Sequence, residues 1–176
     1  MRDIYLGDSY DLVKRFWCEA LQPIAPLLAH PRFVPVEIRD RFSKLTTIPI
    51  LDISRIPDTP FAIFLDPHTG IPLPSGSAHG ATPAHASLPF IVEFIEKYHP
   101  SFLICFDQSV HRRHRLTSVE QRGSKRDYLR DLGISSFYYV SHAPFLFVAE
   151  RNRTLFAIRK RLIDLGIPES RIWGAI

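Results

Sequence analysis

The chain has 176 residues, 45% hydrophobic and 23% charged, with a formal net charge of +4 at pH 7 and a pI near 9.3. That length fits one domain, 1–176, large enough to bury a real core, and the composition is ordinary for a globular protein. No apolar run reaches the roughly 18 residues of a membrane span, and Met1-Arg2-Asp3-Ile4-Tyr5 has no signal-peptide core, so a cytoplasmic protein with no membrane partner is expected.

Residues 3–8 read as a short strand or an extended lead-in, with Asp8 or Ser9 as the cap of a helix. Leu12, Val13, Phe16, Trp17, Ala20 and Leu21 recur at helical spacing, which predicts an amphipathic helix over 10–22, ended by Pro23 and Pro26. Segment 32–38 alternates weakly and reads as an edge strand, because Pro35 cannot donate to a central ladder. Residues 46–60 are extended and punctuated by proline.

Phe61-Ala62-Ile63-Phe64-Leu65 is a continuous apolar run, the pattern of a strand buried on both faces, and it stops at Asp66-Pro67. The long loop 68–87 comes next, and loops of that length in a compact domain are functional or disordered. Ser87 is placed to cap a helix beginning Leu88, Ile91, Val92, Ile95, before Pro100. Residues 101–106 form a second buried strand that stops at Asp107.

Thr117-x-x-Glu120 is a capping box opening a helix to Leu132, with Gly133 as its stop. Strands over 136–140 and 145–149 read as a hairpin, and a last helix over 152–165 ends at Gly166. Apolar strands alternating with amphipathic helices predict an α/β fold: a three-layer, Rossmann-like, mostly parallel sheet with a late antiparallel hairpin. Cys18 and Cys105 lie inside apolar patterns, as buried thiols do.

In open α/β sheets ligands bind beyond the carboxyl ends of the strands. Asp66 and Asp107 both lie at such ends, and Asp8 or Asp11 could join them. Asp8, Asp66 and Asp107 converging in a cleft would hold Mg²⁺ or Mn²⁺ for phosphoryl chemistry; taken singly, each Asp reads as a turn or helix cap. Asp11 and Lys14 stand three residues apart and share a helix face, as a surface ion pair or as part of a site. His142 could reach the rim as a general acid or base, or serve only in the turn, and Ser141 beside it points to the opposite face. Segment 111–130 carries seven Arg and Lys against two acids, net +5, a basic stripe that attracts phosphates or is simply a solvated face. Within and before it, Gln108, Arg112, Arg113 and Arg115 come after the second strand end, placed to hold a phosphate or a nucleic-acid strand. The histidine spacing matches no zinc signature.

Asp66-Pro67-His68-Thr69 after an apolar strand resembles the Asp-Pro-Pro-aromatic motif of amino-methyltransferases acting on nucleic acids. The resemblance extends loosely to the order of elements in the C-terminal half, late hairpin included. It implies a Rossmann-like fold, an amino group held at Asp66, and adenosylmethionine as cofactor. His68 replaces the second Pro, Thr69 the aromatic, and no Gly-x-Gly comes after an early strand.

Gly7-Asp8-Ser9-Tyr10-Asp11-Leu12-Val13-Lys14, together with Phe64-Leu65-Asp66-Pro67-His68-Thr69-Gly70-Ile71, is similar to the two motifs of an uncharacterised bacterial and phage-associated family. That similarity implies that Asp8, Asp11, Lys14, Asp66 and Gly70 form one site, and it supplies no reaction. The expectation is therefore an enzyme acting on nucleic acid or nucleotides at a strand-end Asp cluster, as a metal-dependent phosphodiesterase or a pared-down methyltransferase-like protein. Its partner would be nucleic acid or a phosphorylated small molecule. The rival class is a non-catalytic module that binds nucleic acid or protein.

Overall fold

The computed structural model describes residues 6–74, 82–110 and 115–174. Over these residues the chain folds as an α/β protein with a six-stranded mixed sheet and five α-helices. The strands are β1 (Leu27–Ala29), β2 (Ala62–Leu65), β3 (Leu103–Phe106), β4 (Ser135–Tyr139), β5 (Phe145–Ala149) and β6 (Ile172–Trp173). The helices are α1 (Ser9–Leu21), α2 (Arg39–Thr46), α3 (Leu88–Tyr98), α4 (Ser118–Asp131) and α5 (Asn152–Asp164). The sheet order is β1-β2-β3-β5-β4-β6. β1, β2 and β3 are parallel, β5 is antiparallel to both β3 and β4, and β6 is antiparallel to β4.

The apolar runs explain the centre of the sheet. Every residue of β2, β3 and β5 is buried, so each side chain must find a packed face. The strand period of two sends them alternately to two clusters. Phe64, Ile104, Phe106, Phe137, Phe145 and Phe147 join one cluster with Trp17, Phe42, Leu155, Ile158 and Leu162 from α1, α2 and α5. Ile63, Leu65, Leu103, Cys105, Leu146 and Val148 join the other with Leu88, Ile91, Ile95 and Leu129 from α3 and α4. Trp17 meets Tyr139, Phe145 and Phe147 edge-on at 5.0–5.6 Å, the arrangement favoured by ring quadrupoles.

Helix starts agree with the sequence signals. The Asp8 side chain accepts from the Tyr10 N–H at 2.9 Å. Ser87 caps α3 through the Phe90 N–H, and Thr117 and Glu120 complete their capping box. The two described limbs of loop 68–87 bond to each other, Thr69 N–H to the Ala84 carbonyl at 2.9 Å and Ala86 N–H to the Gly70 carbonyl at 3.0 Å.

Several expectations are corrected. Segment 32–38 is not a strand: it holds two 3₁₀ turns, Pro31–Phe33 and Val36–Ile38, leading into α2. Proline at the first position of one turn and just before the other favours that geometry over an extended ladder. The edge strand is instead β1, three residues between Pro26 and His30. Its outer edge is covered by residues 49–51, through Ala29 N–H to the Pro49 carbonyl and Leu51 N–H to the Ala29 carbonyl, both 2.8 Å. A two-residue β6 also closes on β4. The lead-in over 3–8 falls partly outside the described residues, and 6–8 form a turn, not a strand.

Candidate functional site

The parallel strands bring three chain positions to one rim: His30 after β1, Asp66 after β2 and Asp107 after β3. Two buried charged centres are built there. In the first, α1 presents Asp11 and Lys14 on one face, and the end of β2 supplies Asp66. The Lys14 Nζ lies 2.9 Å from Asp11 Oδ1 and 2.8 Å from Asp66 Oδ2, and the three side chains are between 3% and 6% exposed. Asp11 Oδ2 also accepts the Gly7 N–H at 2.6 Å, tying the start of α1 to the same group. Burial alone pushes the Lys14 amine down, but Asp66 and Asp11 outweigh it and hold its pKa above the ordinary value. Lys14 is therefore a fixed ammonium shared by two carboxylates.

The second centre surrounds Asp107. Its Oδ2 accepts from Lys125 Nζ of α4 and from the Tyr138 hydroxyl of β4, each at 2.7 Å. Its Oδ1 accepts the Ile71 N–H at 2.9 Å and the Ser109 N–H at 3.2 Å. Lys125 Nζ also reaches the Ser109 Oγ at 2.9 Å, and that hydroxyl contacts the Ile71 carbonyl. Burial pushes the Asp107 carboxyl up, yet Lys125 and the hydrogen bonds from Ile71 and Ser109 leave it below the usual range. Burial and the Asp107 charge push both Tyr138 and Cys105 well above their ordinary values, so Cys105 is an inert thiol.

Gly70 makes the second centre possible. With φ at +121°, it lies so close to β3 that a Cβ would stand 2.4 Å from Asp107 Oδ1 and 2.6 Å from its Cα. Only glycine permits that approach, and it lets the loop leaving Asp66 clamp onto Asp107. A third contact ties α1 to the turn before β5: Gln108 Nε2 donates to the Tyr10 hydroxyl at 2.7 Å and to the His142 carbonyl at 3.1 Å. The Tyr10 ring rests 5.7 Å from Phe106 and 5.6 Å from His142.

Of the residues singled out from the sequence, Asp11, Lys14 and Asp66 meet directly, while Gly70 and Gln108 adjoin Asp107. Asp8 is committed to the helix cap. Among the described residues no group of three or more His, Cys, Asp or Glu could hold a metal ion. Of the trio expected to hold Mg²⁺ or Mn²⁺, Asp8 caps α1, Asp66 is bonded to the Lys14 ammonium and Asp107 to the Lys125 ammonium, so these residues do not fit a divalent cation. His142 is exposed at the rim, with its ring against Tyr10. Ser141 turns back onto Ala143, donating to its carbonyl and accepting its N–H, so it forms no nucleophile pair with His142. His68 is half-buried, and its N–H bonds to the Pro83 carbonyl at 3.2 Å. Arg115 is exposed, while Arg112 and Arg113 lie outside the described residues.

The basic stripe is less uniform than its charge count suggests. Lys125 is 1% exposed and belongs to the Asp107 centre. Arg126 donates from Nε to the Ser136 carbonyl at 3.0 Å and covers the Trp173 ring. Lys125, Tyr138, Ser109 and Tyr10 are the site residues that sequence reasoning missed. One signal for Lys125 existed: Gln121, Lys125 and Leu129 recur every four residues on α4, and that face is buried.

No protein-family model, curated protein or solved structure matches this chain.

Proposed function

We propose that the rim carrying Asp66 and Asp107 is the catalytic site of a three-layer, Rossmann-like enzyme acting on nucleic acid or nucleotides. The observation that carries this reading is the pair of buried lysine–carboxylate centres at adjacent strand ends. A buried ion pair is a poor way to gain stability, because desolvation offsets the attraction. Charged groups held this way at the ligand-binding edge of a sheet are more economically explained as a site.

The element order supports a methyltransferase-like fold, while neither a divalent cation nor adenosylmethionine fits the residues present. Asp66-Pro67 ends β2, and the antiparallel β5 lies between β3 and β4, in keeping with the resemblance in element order. Asp66 and Asp107 are each bonded to a lysine ammonium, which disfavours a shared metal. The turn after β1, His30-Pro31-Arg32-Phe33, offers no glycine for the close approach of adenosylmethionine, and its Phe33 is buried in the core. No step is therefore routed through that cofactor. In this reading Asp66 accepts a hydrogen bond from an amino group of the substrate, and Lys14, 2.8 Å from its Oδ2, holds the carboxylate in place. Arg115, with Arg112 and Arg113, would hold the phosphate side.

The test is turnover of labelled DNA, RNA and nucleotides, with and without adenosylmethionine, Mg²⁺ or Mn²⁺, by wild type and by Asp66→Asn and Lys14→Met. A modification or cleavage lost by about 10²-fold or more in folded Asp66→Asn is expected. Unchanged turnover in that variant, or no activity on any of these substrates, contradicts the reading.

A further inference from the structure

A second feature lies at the carboxyl end of β1, one strand over from Asp66. Phe90, Phe94 and Tyr98 recur every four residues on α3 and form one aromatic stripe. The stripe faces His30, Arg32 and Ile53 across a cleft of about 410 Å³, within the range of small-molecule sites. The rings are in register: His30 lies 5.3 Å from both Phe90 and Phe94, and Phe94 lies 4.7 Å from Tyr98. Phe94 and His30 are buried, while Phe90 and Tyr98 remain half-exposed along the cleft.

The mouth is charged. The Arg32 guanidinium sits 5.5 Å over the Phe90 ring and the Lys97 ammonium 5.0 Å over the Tyr98 ring, with Glu93 one turn from Lys97. His30 Nδ1 accepts the Arg32 N–H at 3.2 Å, so the neutral ring carries its proton on Nε2.

We infer that this cleft binds a nucleotide unit: a planar base against the part-exposed rings of Phe90 and Tyr98, backed by the buried Phe94, with its phosphate between Arg32 and Lys97. Aromatic walls select a flat ring, the two cations select an anion attached to it, and Glu93 accepts from a ring amino group. An uncharged aromatic would make no use of the cations, and a plain phosphate would leave the stripe bare. Such a pocket rests on the reading of the neighbouring Asp66 rim and would anchor its substrate, but binding in the cleft does not depend on catalysis at that rim.

The experiment is calorimetric titration with the four 5′-mononucleotides, a nucleoside, ribose 5-phosphate and short oligonucleotides. Saturable binding of at least one mononucleotide is expected, with the nucleoside and ribose 5-phosphate each about tenfold weaker or worse. Lys97→Glu, at an exposed position, should weaken binding about tenfold or more, and Phe90→Leu about fivefold or more. Lys160→Ala, on exposed α5 outside both sites, should leave mononucleotide affinity within about twofold. Tighter binding of an oligonucleotide than of any mononucleotide identifies the ligand as a unit of a strand; the reverse order identifies a free nucleotide. No saturable mononucleotide or oligonucleotide binding, or affinity unmoved by Lys97→Glu in a variant with the wild-type circular dichroism spectrum, overturns the inference. Turnover unchanged in Asp66→Asn, with mononucleotide binding intact, would instead count against the reading of Asp66 and leave the cleft standing.

Discussion

Replacing Lys125 with Met removes the ammonium that faces the Asp107 carboxylate at 2.7 Å, in a place where both side chains are 1% exposed. Met matches the length and apolar stem of Lys, so the loss is almost purely of charge. Asp107 keeps the Tyr138 hydroxyl and the Ile71 and Ser109 N–H groups, but an uncompensated buried carboxylate remains, and Lys125→Met should cost about 3–5 kcal/mol. Asp107→Asn should cost a similar amount by stranding the ammonium, while still accepting from Ile71. Combining the two removes both charges, so the double variant should lose at least about 2 kcal/mol less than the two single losses added together.

The pH dependence has a definite sign. In wild type the Asp107 pKa lies below the ordinary value of 3.8, so its contribution is present above that value and is lost as pH falls through the lower folded value. In Lys125→Met, burial loses its largest counterweight and the carboxyl moves up, so the destabilisation should shrink as the medium is acidified. Urea unfolding followed by the fluorescence of Trp17 and Trp173 measures all of this. Additive losses, or a Lys125→Met loss below about 1 kcal/mol, would show that the pair is not the buried charged centre described.

Gly70→Ala should destabilise by about 3–5 kcal/mol, from backbone strain plus loss of the Ile71–Asp107 hydrogen bond, whereas Gly7→Ala, at φ +91° in open space, should cost only about 1 kcal/mol; equal effects would refute the close approach. His30 is pushed down to about 4, first by burial and then by Arg32. The fold is therefore most stable, for this group, above pH 6.5, and roughly 3 kcal/mol is lost as pH falls from 6.5 to about 4. Parallel acid-unfolding curves for wild type and His30→Gln would contradict that. Lys14→Met should destabilise by about 3–5 kcal/mol, because it leaves Asp11 and Asp66 facing each other without their shared cation, and Lys14→Arg should recover only part of the loss; a chemical denaturation series decides it.

Legibility from the sequence tracked burial. Strands such as Phe61–Leu65 and 101–106 were readable because a run buried on both faces has no polar positions to blur it. Caps at Asp8, Ser87 and Thr117 were readable because a side-chain acceptor beside free helix N–H groups is a local signal. β1 was not, because three residues between prolines carry no periodicity and are made a strand by Pro49–Leu51 and β2 pairing on either side. Residues 32–38 alternate weakly like a strand, but Pro31 and Pro35 fix the backbone for two 3₁₀ turns. In the site, the strand-end position of Asp66 and Asp107 was legible, and so was the shared face of Asp11 and Lys14. Their partners were not. Lys125 was counted into a solvated basic stripe, and nothing local reveals that its ammonium crosses to a carboxylate 18 residues away. Asp66 and Asp107 therefore looked open to a metal when each already had a lysine.

The central claim is that substrate binds at the carboxyl ends of β2 and β3. Titrating the ¹⁵N-labelled protein with a short oligonucleotide and following its amide resonances tests that most directly. Saturable shifts at Gly70, Ile71, Gln108 and Ser109, with α5 unmoved, are the predicted result. Shifts confined to α5 or β6, or no saturable shift, would contradict it.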